Sequence, residues 1–190
     1  MKNIICLSGL PGGGKSTVRD KVAAQLDWNM FSTGDYMRAM AAERGMTFDE
    51  FNAHIAVHKE DDELIDKELE RIESTEDNVV VDSILAFHFV PSGFKVFLKV
   101  SLEESARRIY GDSERETRKA VGDTMESLEE AKQRIQARLN NHNDRYMRHY
   151  GISPYDESHY DLVIDTEHVT PEQVTAQVIA GYEAWRAPQT

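Results

Sequence analysis

Apolar runs along this chain alternate with amphipathic stretches, and the alternation predicts strands separated by helices. Ile4-Ile5-Cys6-Leu7 is continuously apolar, as a strand covered on both faces must be, and it leads into a glycine-rich stretch. Val18, Val22 and Leu26 then recur at helical spacing. A second short strand over 28–31 ends at Ser32-Thr33-Gly34-Asp35, and a helix over 36–43 follows, with Gly45 placed to terminate it. Thr47-Phe48-Asp49-Glu50 has the capping-box pattern of a further helix start. The acidic stretch 61–69 predicts another helix, with Leu64, Ile65, Leu69 and Ile72 on its apolar side. Val79-Val80-Val81-Asp82 is a third strand with a carboxylate at its carboxyl end. Residues 94–100 and 161–165 supply the fourth and fifth strands. Between them, Ser101-Leu102-Glu103-Glu104 caps a helix through Ile109, and a polar segment over 111–123 precedes a long helix reaching about Met147. Thr170-Pro171-Glu172-Gln173 opens the last helix with proline at its first position.

Strands and helices in this order specify an α/β fold: a five-stranded parallel sheet with helices on both faces. The 190 residues suit a single domain over 1–190, without repeats or low-complexity tracts. In such sheets ligands bind at the carboxyl ends of the strands. The glycine-rich stretch, Ser32-Thr33-Gly34-Asp35 and Asp82 all fall there, so the pattern alone predicts one cleft.

Charge narrows the partner. The chain has 34 acidic and 22 basic residues, a net charge of −12, which disfavours nucleic acid. Ten of the 22 basic residues lie between Arg107 and Arg148, and eight of these are arginine, a concentration suited to a small, compact anion. The single cysteine, Cys6, lies within the first strand and reads as a small core residue in a reducing compartment. No charged-then-apolar leader precedes the first strand, and no apolar stretch is long enough for a bilayer. The expectation is a cytoplasmic monomer acting on small molecules, with neither nucleic acid nor membrane as partner.

The chemistry begins at Gly9-Leu10-Pro11-Gly12-Gly13-Gly14-Lys15-Ser16-Thr17, which fits the phosphate-binding pattern G-x-x-x-x-G-K-[ST]. Its context is the one the motif needs, a strand before and a helix after. Glycines let the backbone wrap an anion, and the helix presents amides and a positive dipole end to it. Lys15 is placed to reach the terminal phosphates of a nucleoside triphosphate, and Ser16 to hold magnesium. Asp82 either closes its strand in a turn or serves as the second magnesium ligand. On the long helix, positions 134, 138, 142 and 145 fall within about 80° of one another. Arg134 has Glu130 one turn away, and Arg107 and Arg108 have Glu103 and Glu104, so these pairs could be ordinary helix support. Arg138 and Arg145 have no carboxylate three or four positions away on their own helix, which points to an anionic ligand.

Ser32-Thr33-Gly34-Asp35-Tyr36-Met37-Arg38 resembles the S-T-G-D-x-x-R segment of the nucleoside monophosphate kinases. The similarity is closest to the short cytidylate kinases of archaea and some bacteria. It continues through Glu43-Arg44-Gly45-Met46, Glu50-Phe51-Asn52, residues 61–66, Arg145-Tyr146, Tyr150-Gly151-Ile152 and Tyr160-Asp161-Leu162-Val163-Ile164. The resemblance implies a P-loop NTPase fold with helices over 33–75 holding the acceptor and a lid within 108–148. It implies transfer of a phosphoryl group from ATP to CMP, dCMP or UMP with magnesium as cofactor. Gly9, Pro11, Gly12, Gly13, Gly14, Lys15, Ser16 and Thr17 would then hold ATP. Ser32, Thr33, Gly34, Asp35, Arg38 and His142 would face the acceptor, although Asp35 could equally serve the helix dipole. Lys15, Arg108, Arg138 and Arg145 would carry the transfer. Two positions depart from the family pattern. Ile84 stands where a segment resembling D-[SG]-R-L-A has arginine, and His142 stands where an acid separates the two arginines. A kinase of another small acceptor, or a nucleotide-binding protein with little turnover, are the alternatives these departures keep open.

Overall fold

A computed structural model describes residues 2–55, 57–113 and 125–188. The elements are β1 (Ile4–Gly9), α1 (Lys15–Leu26), β2 (Asn29–Ser32), α2 (Thr33–Glu43), α3 (Phe48–Ile55) and α4 (Lys59–Thr75). They continue with β3 (Val79–Asp82), α5 (Ala86–Phe89), β4 (Phe94–Lys99), α6 (Leu102–Ser113) and α7 (Leu128–Tyr150). A 3-10 turn (Glu157–His159), β5 (Leu162–Asp165) and α8 (Pro171–Arg186) complete the order. The five strands form one parallel sheet in the order β2-β3-β1-β4-β5.

The pleat of β1 divides the core in two. Ile5 and Leu7 point to one face with Val18 and Val22 of α1 and Val174 and Val178 of α8. Ile4 and Cys6 point to the other, against Leu69 and Ile72 of α4 and Tyr146 of α7. Both faces are covered, which is why β1 and β3 are buried along their whole length. Register then fixes the site. Leu7 of β1 and Ser32 of β2 both lie opposite Asp82 of β3. The phosphate-loop entrance, the start of α2 and the Asp82 carboxylate therefore share one edge of the sheet.

Local chemistry accounts for the boundaries. Helix α2 starts at Thr33 rather than Tyr36, because Ser32 Oγ accepts the amide of Asp35 at 3.3 Å and so caps an earlier turn. Thr47 and Glu50 form the expected reciprocal cap, as do Thr170 and Gln173. Ser101 accepts the amide of Glu104, but the Glu104 carboxylate turns instead to Arg107 and Arg108, so that box is half formed. Helix α5 was not expected from the pattern. Leu64 is 42% exposed while Ile65, Leu69 and Ile72 are buried, because Leu64 lies about 100° from Ile65 around the helix. Asp61, Asp62 and Asp66 are buried beside Ile65 and Leu69. Of the polar segment over 111–123 expected as a lid, residues 114–123 lie outside the described residues. Among the described residues no helix is long and apolar enough to cross a membrane.

Candidate active site

Three glycines shape the loop between β1 and α1. Gly12 and Gly14 have φ of 71° and 85°, the left-handed region that other residues enter only with strain. Gly9 has φ 138°, and a Cβ there would stand 2.2 Å from the carbonyl oxygen of Leu98 on β4. Gly14 is the N-cap of α1 and offers no capping side chain. The loop is clasped from α6: Ser105 Oγ donates to Pro11 O at 2.5 Å, and Arg108 Nη1 donates to Gly12 O at 3.4 Å. Lys15 folds back over the loop, its Nζ donating to Gly9 O at 3.0 Å and Leu10 O at 2.9 Å. Burial lowers the Lys15 pKa, opposed by Asp82 and reinforced by Arg138. Lys15, Asp82 and Arg138, residues from α1, β3 and α7, thus feel one another's charge.

Ser16 Oγ stands 3.5 Å from Asp82 Oδ2. Burial pushes the Asp82 carboxyl up, while Lys15 and Arg19 draw it down. Two hard oxygen donors at this separation suit magnesium, which binds through one or two protein oxygens and takes its remaining ligands from phosphates and water. Among the described residues no cluster of three or more His, Cys, Asp or Glu side chains forms a metal cage. The residues fit that ion as a shared one, held jointly with phosphate.

Beside Asp82 lies an ion-pair chain from α1 to α2. Arg19 is buried and contacts Asp20 at 2.7 Å and Asp35 at 3.0 Å, and Asp35 contacts Arg38 at 2.8 Å. Asp35 therefore bridges two arginines, more than the dipole-complementing role open to it in the sequence. Arg19, Ser32, Asp35, Phe31, Met30 and Tyr36 line a cavity of about 390 Å³. Thr33 Oγ1 is buried without a hydrogen-bond partner among the described residues, and Gly34 stands close beside Arg38. Arg38 and Arg138 both sit over the Phe48 ring, at 5.0 and 5.5 Å from its centroid. Helices α2, α3 and α7 meet there.

The α7 stripe divides by environment. Arg134 pairs with Glu130 at 2.6 Å on the surface, the ordinary helix support. Arg108 donates to Glu104, to Thr166 and to its carbonyl, and to Gly12 O, so its guanidinium joins α6, the loop and the end of β5. His142 is buried, with Nδ1 3.0 Å from the Tyr155 hydroxyl. Its pKa is held well below the usual histidine value by burial, then by Arg138, Arg145 and Lys15, so the imidazole is neutral. Arg145 corrects the expectation of a cation without a carboxylate. Asp62 of α4 faces its Nε at 3.5 Å, a partner that a single-helix reading could not supply. Ile84 packs against the apolar cluster that includes Val81, Leu85 and Tyr146. Arg19, Asp62 and Tyr155 were missed in the sequence. Arg19 falls in the ordinary amphipathic pattern of α1, Asp62 in a run of acids, and Tyr155 in a loop without a motif.

A family model described as an AAA domain matches residues 5–148. A cytidylate kinase from Sulfurisphaera tokodaii is 32% identical over 94% of both chains. An S-adenosylmethionine-dependent nucleotide dehydratase from Lacinutrix mariniflava is 34% identical over 96% of this chain, which spans 36% of that protein's length. Among solved structures, shikimate kinase from Acinetobacter baumannii in complex with shikimate shares the fold at 16% identity and a TM-score of 0.62, over 98% of this chain and 96% of its own.

Proposed function

This chain belongs to the family of short cytidylate kinases, and from that premise we propose that it transfers the terminal phosphoryl group of ATP to a pyrimidine nucleoside monophosphate. CMP is the leading acceptor, with dCMP and UMP as alternatives. The observation that carries the proposal is the shared edge of the sheet: Asp82, 3.5 Å from Ser16 of the loop, lies opposite Ser32 at the start of α2, and Arg38 and Arg138 meet over the Phe48 ring beside it. A loop for one polyphosphate thus faces an arginine group suited to a second. The name of the Lacinutrix relative, in which a segment similar to this chain belongs to a longer nucleotide-acting protein, agrees with a nucleotide substrate.

In this reading the amides of Gly12 to Thr17 cradle the ATP phosphates, and Lys15 exchanges its two carbonyl contacts for phosphate oxygens. Ser16 and Asp82 hold magnesium, whose contribution is to neutralise charge on the phosphates. Arg38, Ser32, Thr33, Gly34 and the first turn of α2 receive the acceptor's phosphate, with Asp35 and Arg19 holding Arg38 in place. The unpartnered Thr33 hydroxyl supplies one ready contact. An acceptor phosphate oxygen bonds to the γ-phosphorus as the bond to the β–γ bridging oxygen breaks, and ADP leaves with the electron pair. No covalent enzyme intermediate forms. Arg145 contacts the acceptor's phosphate and, with Arg138, stabilises the charge spread over the transferring group, and Arg108 keeps the loop in shape.

The departures at Ile84 and His142 favour one second reading, the same chemistry on a different small acceptor. Ile84 offers no donor to a phosphate or a pyrimidine edge, and His142 brings a neutral ring where an acid would accept from a sugar hydroxyl. ADP release measured against CMP, dCMP, UMP and AMP, with free phosphate followed alongside, decides between them. CMP is expected to accelerate ADP release most, without phosphate. Acceleration by none of the four would overturn the proposal.

A further inference from the structure

Helices α4 and α7 meet at a charged pair with imperfect geometry. Asp62 and Arg145 are each 3% exposed, and Arg145 Nε lies 3.5 Å from Asp62 Oδ2. Among the described residues neither of these two atoms has a hydrogen-bond partner. The Arg145 guanidinium is otherwise fixed by Nη2, which donates to the Tyr146 hydroxyl at 2.5 Å, and it lies 4.7 Å from the centre of the Tyr146 ring. The neighbouring acids behave differently. Asp61 accepts from Arg44 at 2.5 Å and faces His54 at 3.1 Å, joining α4 to α2 and α3. Asp66 accepts from Tyr150. Asp62, by contrast, faces its cation at 3.5 Å without a directed bond among the described residues.

Burying two ions costs several kcal/mol each, offset well only where hydrogen bonds complete the pair. A guanidinium with an unused Nε–H is complementary to a phosphate, which takes up two parallel N–H donors. We propose that Asp62 is a positioning residue that parks Arg145 while the acceptor site is empty and yields it to the acceptor's phosphate on binding. The weak geometry makes the exchange easy in one direction, since the arriving phosphate offers the bonds that the carboxylate does not. The inference rests on the acceptor reading above, in which Arg145 meets phosphate.

Parking lowers apparent acceptor affinity by the fraction of molecules with Arg145 available. Calorimetric titration of CMP into Asp62→Asn should therefore give binding about threefold or more tighter than wild type, with a lower unfolding temperature in the absence of ligand. In the Arg145→Met background the same substitution should leave CMP affinity unchanged. Structural damage would not tighten binding, so the gain separates parking from a merely structural role. Weaker or equal CMP binding in Asp62→Asn, or an equal gain in both backgrounds, overturns the inference. Should Asp62→Asn fail to fold, Asp62→Glu takes its place, since the longer carboxylate closes the gap to Nε and should weaken CMP binding. Equal or tighter binding then overturns the inference. Failure of wild type to bind CMP would count against the acceptor reading instead. Inorganic phosphate is then the probe, and Asp62→Asn must still bind it more tightly than wild type or the inference falls.

Discussion

Replacing Asp66 by asparagine should stabilise the protein at alkaline pH and do little at acid pH. Asp66 Oδ2 accepts from the Tyr150 hydroxyl at 2.5 Å across the seam between α4 and α7. Its carboxyl is pushed up from 3.8 to about 6, chiefly by burial, with the Tyr150 bond and Arg145 opposing and Asp62 and Glu70 adding to the rise. The folded chain therefore holds this proton more tightly than the unfolded chain does. Its contribution to stability is fully present below about pH 4 and is lost as the pH rises through about 6. At pH 8 the native protein keeps an ionised carboxylate where water is scarce. A displacement of this size corresponds to about 3 kcal/mol at full burial, and to about 1–2 kcal/mol once residual solvent access is allowed for. Asparagine retains an oxygen for Tyr150 and has no charge to desolvate. Urea unfolding of both proteins at pH 4 and pH 8 measures the effect. The variant should gain about 1–2 kcal/mol more over wild type at pH 8 than at pH 4, with equal denaturant slopes. The same difference at both pH values would refute the argument.

Lys15→Ala should abolish transfer while leaving circular dichroism unchanged, since the hydrogen bonds described for its side chain go to Gly9 O and Leu10 O of its own loop; wild-type turnover would contradict the proposed role. Gly14→Ala and Gly9→Ala should separate backbone strain from collision. Gly14 has open space around it, so alanine should cost about 1–2 kcal/mol, whereas at Gly9 a Cβ meets Leu98 O and the loss should be about 3 kcal/mol or more; thermal unfolding ranks the two, and equal losses would contradict the account. Ile84→Arg should raise kcat/KM for CMP if the missing cation limits the acceptor site, and steady-state kinetics showing no gain would mark the departure as neutral.

The sheet was legible because its signals are local. β1 and most of β3 are short apolar runs, and the glycines, Lys15 and Ser16 stand in one contiguous motif between a strand and a helix. The edge that gathers Ser32, Asp82 and the loop follows from parallel order alone. What the sequence hid depends on which helix faces which. Arg145 has no carboxylate three or four positions away on its own helix, yet Asp62 reaches it from a helix about eighty positions earlier. The acids of α4 carry no spacing signal, and their burial depends on partners from other elements: Arg44 and His54 for Asp61, Arg145 for Asp62 and Tyr150 for Asp66. Arg19 looked like a surface residue of α1, whereas it is the buried link between Asp20 and Asp35. Such pairs carry no spacing signal, because the elements that make them are far apart in the chain.

The central claim is transfer between two bound phosphates, and the direct measurement follows the phosphoryl group itself. ATP labelled at the γ-phosphate, magnesium and CMP are incubated with the protein, and the nucleotides are separated. The account predicts label in CDP, formed in step with ADP and lost in Lys15→Ala. Label appearing only in free phosphate, or remaining in ATP with every pyrimidine monophosphate offered, would contradict it.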